Sequence, residues 1–252
     1  MSLEGRVAFI SGGGRGIGRA IALGLAEDGA DIAINYLRDH ESAIATVADI
    51  EKLGRRARAY AGDVASYRDC EAMCGAALAD FGSVDILVHN AGIASKGKSV
   101  ARTDPEEIHR LFDTHAFGGW SLAHLLVPTM RESERSDVVF ISSAAVSYMA
   151  ANSAPYNMAK VALEALAWTL AKEERRNGIH VNVVAPGLVD TEMGRRLVKG
   201  AMGIDEISSL DSGSAFGHVC TPEEVAAVVR FAVSDKASYM TAQRFGVDGG
   251  PF

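Results

Sequence analysis

Tyr156 and Lys160 are spaced to share one face of a helix, at i and i+4. A phenol beside an ammonium ionises more easily, because the positive charge favours the phenolate. Such a pair suits proton transfer to or from an oxygen. Pro155 fits the first position of that helix, where a missing N–H costs nothing. Upstream, the apolar run Val138-Val139-Phe140-Ile141 ends at Ser142 and Ser143, two hydroxyls at a strand end. The second stretch with chemical potential is Ser11-Gly12-Gly13-Gly14-Arg15-Gly16-Ile17-Gly18. Glycines there permit a tight turn and close approach of backbone to phosphate. The helix that follows offers unpaired N–H groups and a positive dipole end.

The nucleotide suited to that loop depends on the next strand tip. A ribose 2′-hydroxyl calls for an acid about 20 residues after the glycines, and a 2′-phosphate calls for cations. The tip reads Asn35-Tyr36-Leu37-Arg38, with no acid. Arg15 and Arg38 can flank a phosphate, with Asn35 as a hydrogen-bond donor. NADP(H) is therefore favoured. Asp39 or Glu41 can still meet a ribose, so NAD(H) stays possible.

The elements that must position these residues follow from periodicity. Strands are expected at residues 6–10, 31–35, 56–60, 84–89, 137–142, 180–184 and 244–247. Helices are expected at 16–28, 40–53, 67–80, 105–131, 155–176 and 222–234. Short apolar strands alternating with helices predict an α/β fold. It is a doubly wound, mostly parallel seven-stranded sheet with helices on both faces, a Rossmann fold. No linker or repeat interrupts residues 1–252, so one dinucleotide-binding domain is expected. The weakly periodic stretch 191–216 reads as a mobile flap. Its Met193, Leu197, Val198, Met202, Ile204 and Leu210 would wall an apolar pocket together with residues 93–95, 144–149 and Leu188. That suits a small or medium apolar molecule. Lys96 and Lys98 read as a solvated loop, with contact to an anionic carrier group as the alternative.

Composition narrows the class. The chain has 252 residues, 48% of them hydrophobic, and a net charge of −7 with both signs interspersed. No basic stripe suggests nucleic acid. No signal-like start or long apolar run suggests export or a membrane, so the expected location is cytoplasmic. Three cysteines, an odd count, argue against a disulfide framework. Cys70 and Cys74 read as apolar packing, and no metal site is expected.

Taken together the motifs resemble the short-chain dehydrogenase/reductase family, and the resemblance spans essentially the whole chain. Gly12, Gly16 and Gly18 match its glycine pattern. Gly62-Asp63-Val64 matches its adenine-contacting turn, with Asp63 the contact. Asp85-Ile86-Leu87-Val88-His89-Asn90-Ala91-Gly92 matches its strand 4 motif, with His89 where Asn is usual. Tyr156 and Lys160 match the catalytic pair, and Ser143 stands at the family's spacing for the catalytic serine. Pro186, Gly187, Val189 and Thr191 match the segment at the nicotinamide end, and Val247-Asp248-Gly249-Gly250 matches the C-terminal signature.

The resemblance implies that Tyr156 exchanges a proton with a carbonyl or alcohol oxygen. Lys160 lowers the tyrosine pKa and holds the nicotinamide ribose, and Ser143 stabilises the substrate oxygen. One position departs. Where the family has an Asn that helps hold a relay water behind the lysine, this chain has His115. Either His115 relays protons or it is a tolerated substitution. Small residues at Gly118, Gly119, Ala159, Ala162 and Ala165 mark the two helices through which family members pair, so a homodimer or homotetramer is expected. The implied activity is NADP(H)-dependent hydride transfer to or from a carbonyl or secondary alcohol, of the 3-oxoacyl-carrier or general ketone type. The alternatives are an NAD-dependent dehydrogenase on the same fold and a non-catalytic NADP(H)-sensing protein.

Overall fold

Along β1 (Val7–Ser11), Ala8 and Ile10 face one way and Phe9 the other, and all five residues of the strand are buried. A strand apolar on both faces belongs in the middle of a covered parallel sheet. The computed structural model, which describes residues 2–250, places it there.

The chain continues through α1 (Gly16–Glu27), β2 (Asp31–Tyr36), α2 (His40–Lys52), β3 (Ala57–Ala61), α3 (Tyr67–Phe81) and β4 (Ile86–His89). It then forms α4 (Pro105–Phe112), a π turn (Asp113–Phe117), α5 (Gly118–Met130), β5 (Ser136–Ile141), the short α6 (Ala145–Tyr148) and α7 (Ala154–Glu174). β6 (Ile179–Pro186), α8 (Glu192–Met202), α9 (Pro222–Ala232) and β7 (Arg244–Val247) complete it. All seven strands run parallel in the order β3-β2-β1-β4-β5-β6-β7. The order reverses between β1 and β4, so a crevice opens at the carboxyl ends of those two strands.

Two cores flank the sheet. Ile10, Ile21, Leu25, Ile34, Val88 and Val229 pack between the sheet and α1, α2 and α9. Phe9, Leu87, Leu122, Phe140, Leu163 and Val183 pack beneath α3, α5 and α7. Each such side chain contributes about 1.5–3 kcal/mol on burial. Cys70 and Cys74 lie in the second core as free thiols, both pushed up to about 12 chiefly by burial. Helix starts follow capping chemistry. Ser66 caps α3, and Thr221 with Glu224 forms a full capping box on α9. Among the described residues, no helix is long and apolar enough to cross a membrane.

Three expectations need correction. The helix expected over residues 105–131 is broken by the π turn, which contains His115. Stretch 191–216 is not irregular. It holds α8 and a 3₁₀ segment (Ile207–Gly213), and Val198 and Ile207 form a small core with Val219, Leu188, Ile204 and Leu210. Half of its supposed pocket wall therefore faces inward, while Met193, Leu197 and Met202 stay exposed. The small residues of α5 and α7 also serve the chain itself. A Cβ on Gly119 would lie 2.8 Å from Leu163, one on Gly118 would lie 2.9 Å from the Val64 carbonyl, and Ala159 of α7 is fully buried.

Candidate active site

β1 delivers the glycine loop and α1 rises from it. The start of α1 has no side-chain cap and no acid in its first turn. Its N–H groups and dipole end are thus open to an anion. Gly12 has φ +65° and Gly16 φ +52°, which favours glycine at both. A Cβ on Gly14 would press on Ala43 of α2 at 3.1 Å. Ile17 packs against the first core and fixes the direction of α1. Thr191, the cap of α8, lies against this loop, since a Cβ on Gly16 would be 3.3 Å from its Cγ2. The cradle is one that side chains would fill, and it fits a dinucleotide pyrophosphate.

The strand 4 motif supports the loop from across the crevice. Asn90 Nδ2 donates to the carbonyls of Ser11 and Gly12, both at 3.1 Å, so its amide holds the loop. Ser11 Oγ accepts from Asn90 N and Ala91 N at 3.0 Å each. With both lone pairs engaged, its own proton goes to His89 Nδ1, 3.0 Å away. The His89 proton is then on Nε2, which donates to the main-chain carbonyl of His115 at 3.0 Å. Burial, aided by the nearby Lys160 charge, pushes His89 down to about 3, so this link stays neutral over the physiological range.

The β2 tip corrects a further expectation. Asn35 is buried, and its Nδ2 donates to the Gly62 carbonyl at 2.9 Å while its Oδ1 accepts from Gly12 N. It ties the loop to the turn after β3 and has no donor left for a phosphate. Tyr36 pairs its hydroxyl with His40. Arg38 is exposed, and among the described residues it has no ion pair. Arg15 reaches Glu192 at 2.5 Å and Asp39 at 3.6 Å. In the turn after β3, Asp63 is half-buried and accepts from Ala65 N, but Val64 is a core side chain that offers only backbone. Val189 is likewise buried, while Gly187 N pairs with the Val247 carbonyl and Pro186 O accepts from Ala144 N.

Ser143, Tyr156 and Lys160 converge beyond β5. Ser143 is buried just past the strand and its Oγ accepts from Ala145 N. Tyr156 lies in the first turn of α7, which begins at Ala154, one residue before the expected proline. Lys160 is buried, with Nζ 5.8 Å from the Tyr156 ring centroid and donating to the Ile141 carbonyl at 2.7 Å. The expected lowering of the Tyr156 pKa is not the net effect. Burial pushes the phenol up, and the pull downward comes from the Ser143 hydroxyl. Burial also depresses Lys160, to about 7, so its charge is weaker leverage than its proximity suggests.

His115 stands edge-on to Tyr156, with centroids 5.4 Å apart. Its Nε2 donates to the Ile93 carbonyl at 2.9 Å, and burial holds its pKa well below the ordinary value. Nδ1 is buried without a hydrogen-bond partner among the described residues. Gly92 makes room for the ring, because a Cβ there would lie 2.7 Å from His115 Cε1. Several contributors escape motif reading. Ser11 and His89 link the loop to the π turn, and Glu164 and Arg244 sit behind Ser143. Only the odd His89 in a recognisable motif hinted at any of these.

Comparison with known proteins points to one family. A family model described as enoyl-(acyl carrier protein) reductase matches residues 12–251. The chain is 32% identical over 250 residues to a 3-oxoacyl-[acyl-carrier-protein] reductase of Synechocystis, covering 99% of this chain and 98% of that one. It is 31% identical over 251 residues to an L-rhamnose 1-dehydrogenase (NAD(P)(+)) of Sphingomonas, covering 99% and 97%. A short-chain dehydrogenase from Burkholderia cenocepacia, solved in complex with NADP, superposes with a TM-score of 0.90 at 32% identity, covering 99% of both chains.

Proposed function

The chain belongs to the short-chain dehydrogenase/reductase family and is an oxidoreductase acting on CH–OH or C=O groups, and from that premise we propose an NADP(H)-dependent reductase of small carbonyl compounds or dehydrogenase of the matching secondary alcohols. The observation that carries this reading is the convergence of Ser143, Tyr156 and Lys160 beyond β5, in the same sheet that opens the uncapped α1 terminus.

The nicotinamide, when bound, supplies or accepts the hydride. The glycine loop and α1 would hold the pyrophosphate, Asp63 would meet the adenine, and Thr191 would serve the nicotinamide end. Tyr156 gives its hydroxyl proton to the carbonyl oxygen in reduction and takes it back in oxidation. Ser143 donates to the same oxygen and stabilises the charge that develops on it. Lys160 would hold the ribose. His115 keeps Ile93 and the π turn in place behind that pair and acts without changing its charge. One domain carries the site and its flap. Relatives named for a sugar and for an acyl-carrier substrate leave both classes open to this chain. A screen of ketones and alcohols with both cofactors tests the reading, and turnover of none would overturn it.

The cofactor preference rests on Arg15 and Arg38, with no acid at the β2 tip. Arg15 is now shared with Glu192 and Asp39. Glu192→Gln is therefore expected to tighten NADP(H) binding by about 2–5-fold, the scale of an exposed ion pair. NAD(H) binding should not move. Fluorescence titration with the two reduced cofactors checks this, and equal shifts for both would remove Arg15 from the 2′-phosphate.

His115→Asn is expected to keep activity within about threefold, since an amide can also hydrogen-bond Ile93. No limb of the pH–rate profile should move, because His115 is held neutral by burial. A lost limb would instead make His115 a titrating relay. We also infer a cytoplasmic homodimer or homotetramer. Support comes from the exposed apolar residues Phe117 and Trp120 at α5 and Met158 and Val161 on α7.

A further inference from the structure

Glu164 stands one turn beyond Lys160 on the same face of α7 and is 6% exposed. A carboxylate so buried needs partners. Ser142 Oγ donates to its Oε1 at 2.6 Å, and Arg244 Nε donates to the same oxygen at 3.0 Å. Arg244 comes from β7, and its Nη2 donates to the main-chain carbonyl of Ser143 at 3.1 Å. Lys160 Nζ holds the Ile141 carbonyl at 2.7 Å. Ile141, the last residue of β5, and Ser142 and Ser143 just past it are thus each tied into one group of charged side chains from α7 and β7.

We propose that Glu164 and Arg244 are positioning residues: together they fix the main chain at Ser143, and Glu164 alone supplies the counter-charge for Lys160. This rests on the proton-transfer reading of Ser143, Tyr156 and Lys160 given above. A single charge pair that grips Ser142 by its hydroxyl and Ser143 by its carbonyl fixes the main chain from which the Ser143 side chain projects. The same carboxylate acts on Lys160, raising an ammonium that burial has depressed to about 7. The other titratable groups facing Lys160 are Tyr156 on α7, His115 on the π turn and His89 at the end of β4. Burial keeps both imidazoles neutral and holds the phenol protonated, so Glu164 is the charge that answers Lys160. Arg244 partly cancels Glu164, and the two act on Lys160 in opposite senses.

An NMR titration of lysine Cε signals on the full chain, without cofactor, reads this directly. Lys160→Met identifies the signal. Glu164→Gln is close to isosteric and keeps an acceptor for Ser142. It should lower the Lys160 midpoint by about one pH unit, a tenfold change in proton affinity. Arg244→Gln should raise the midpoint, and Glu164→Asp should restore most of it. Ser142→Ala removes the grip without altering charge. It should leave the midpoint in place and lower kcat severalfold with KM little changed. Thermal unfolding establishes that each variant folds, and if Glu164→Gln does not, the opposite shift in Arg244→Gln decides. An unmoved midpoint in the folded variants overturns the proposal whatever the enzyme turns over. Opposite shifts sustain it even if no carbonyl is reduced, in which case the proposed function is what fails.

Discussion

Tyr156→Phe is expected to lower kcat by about 10²–10⁴-fold, roughly 3–5 kcal/mol of barrier, with cofactor affinity and folding nearly unchanged. The substitution removes one oxygen and keeps the ring. That ring packs edge-on against His115 and lies beneath Lys160, so its van der Waals neighbours persist. The phenol is protonated because burial pushes its pKa up, which makes it a ready donor to a carbonyl oxygen in reduction. In oxidation the same burial is a handicap, and the Ser143 hydroxyl is the group that offsets it. Ser143→Ala should therefore hurt alcohol oxidation more than carbonyl reduction. Steady-state rates in both directions, beside a cofactor titration, check these statements. A Phe variant that retains more than about a tenth of wild-type kcat would move the proton donor elsewhere and undo the assignment of Tyr156.

The sheet was legible because its strands are apolar on both faces and bounded by glycines and polar turns. Each of the expected strands and helices is present with ends shifted by a residue or two, except that the π turn divides the helix expected over 105–131. Motifs carried the candidate site where the chemistry is local, as at Tyr156 and Lys160 within one turn or at the glycine loop. Legibility failed where a partner is remote. Asn35 looked like a free donor at a strand tip, yet the Gly62 carbonyl, which engages it, comes from the turn after another strand. Glu164 carries no signal of its own in the sequence, because its partner Arg244 comes from β7, 80 residues on. The π turn has no composition signal, because its extra residue is absorbed by backbone hydrogen bonds rather than by a glycine or proline. The small residues of α5 and α7 signalled close packing correctly but not with whom, since a Gly119 facing Leu163 reads like one facing another subunit.

Gly18→Ala is expected to weaken cofactor binding by at least about tenfold and to destabilise the fold by roughly 1–3 kcal/mol, the usual scale of overpacking. The φ of Gly18 is not the reason. A Cβ there would collide with the carbonyl oxygen of Gly12 and lie 2.6 Å from Asn90 Nδ2. Those two atoms are themselves hydrogen-bonded at 3.1 Å, and Asn90 also holds the Ser11 carbonyl. Neither is the free end of a flexible side chain, so relief has to come from shifting the loop that approaches the phosphate. Gly75 provides the opposing control. It lies exposed in the interior of α3, and a Cβ there meets nothing within 4 Å. Gly75→Ala should stabilise the chain by about 0.5–1 kcal/mol, because alanine loses less backbone entropy in a helix. Thermal unfolding and cofactor titration of both variants separate the two effects. If Gly18→Ala bound either cofactor as tightly as the wild type, the loop would not be the pyrophosphate seat, whereas equal destabilisation by both substitutions would point to a general intolerance of alanine rather than to the contact with Gly12.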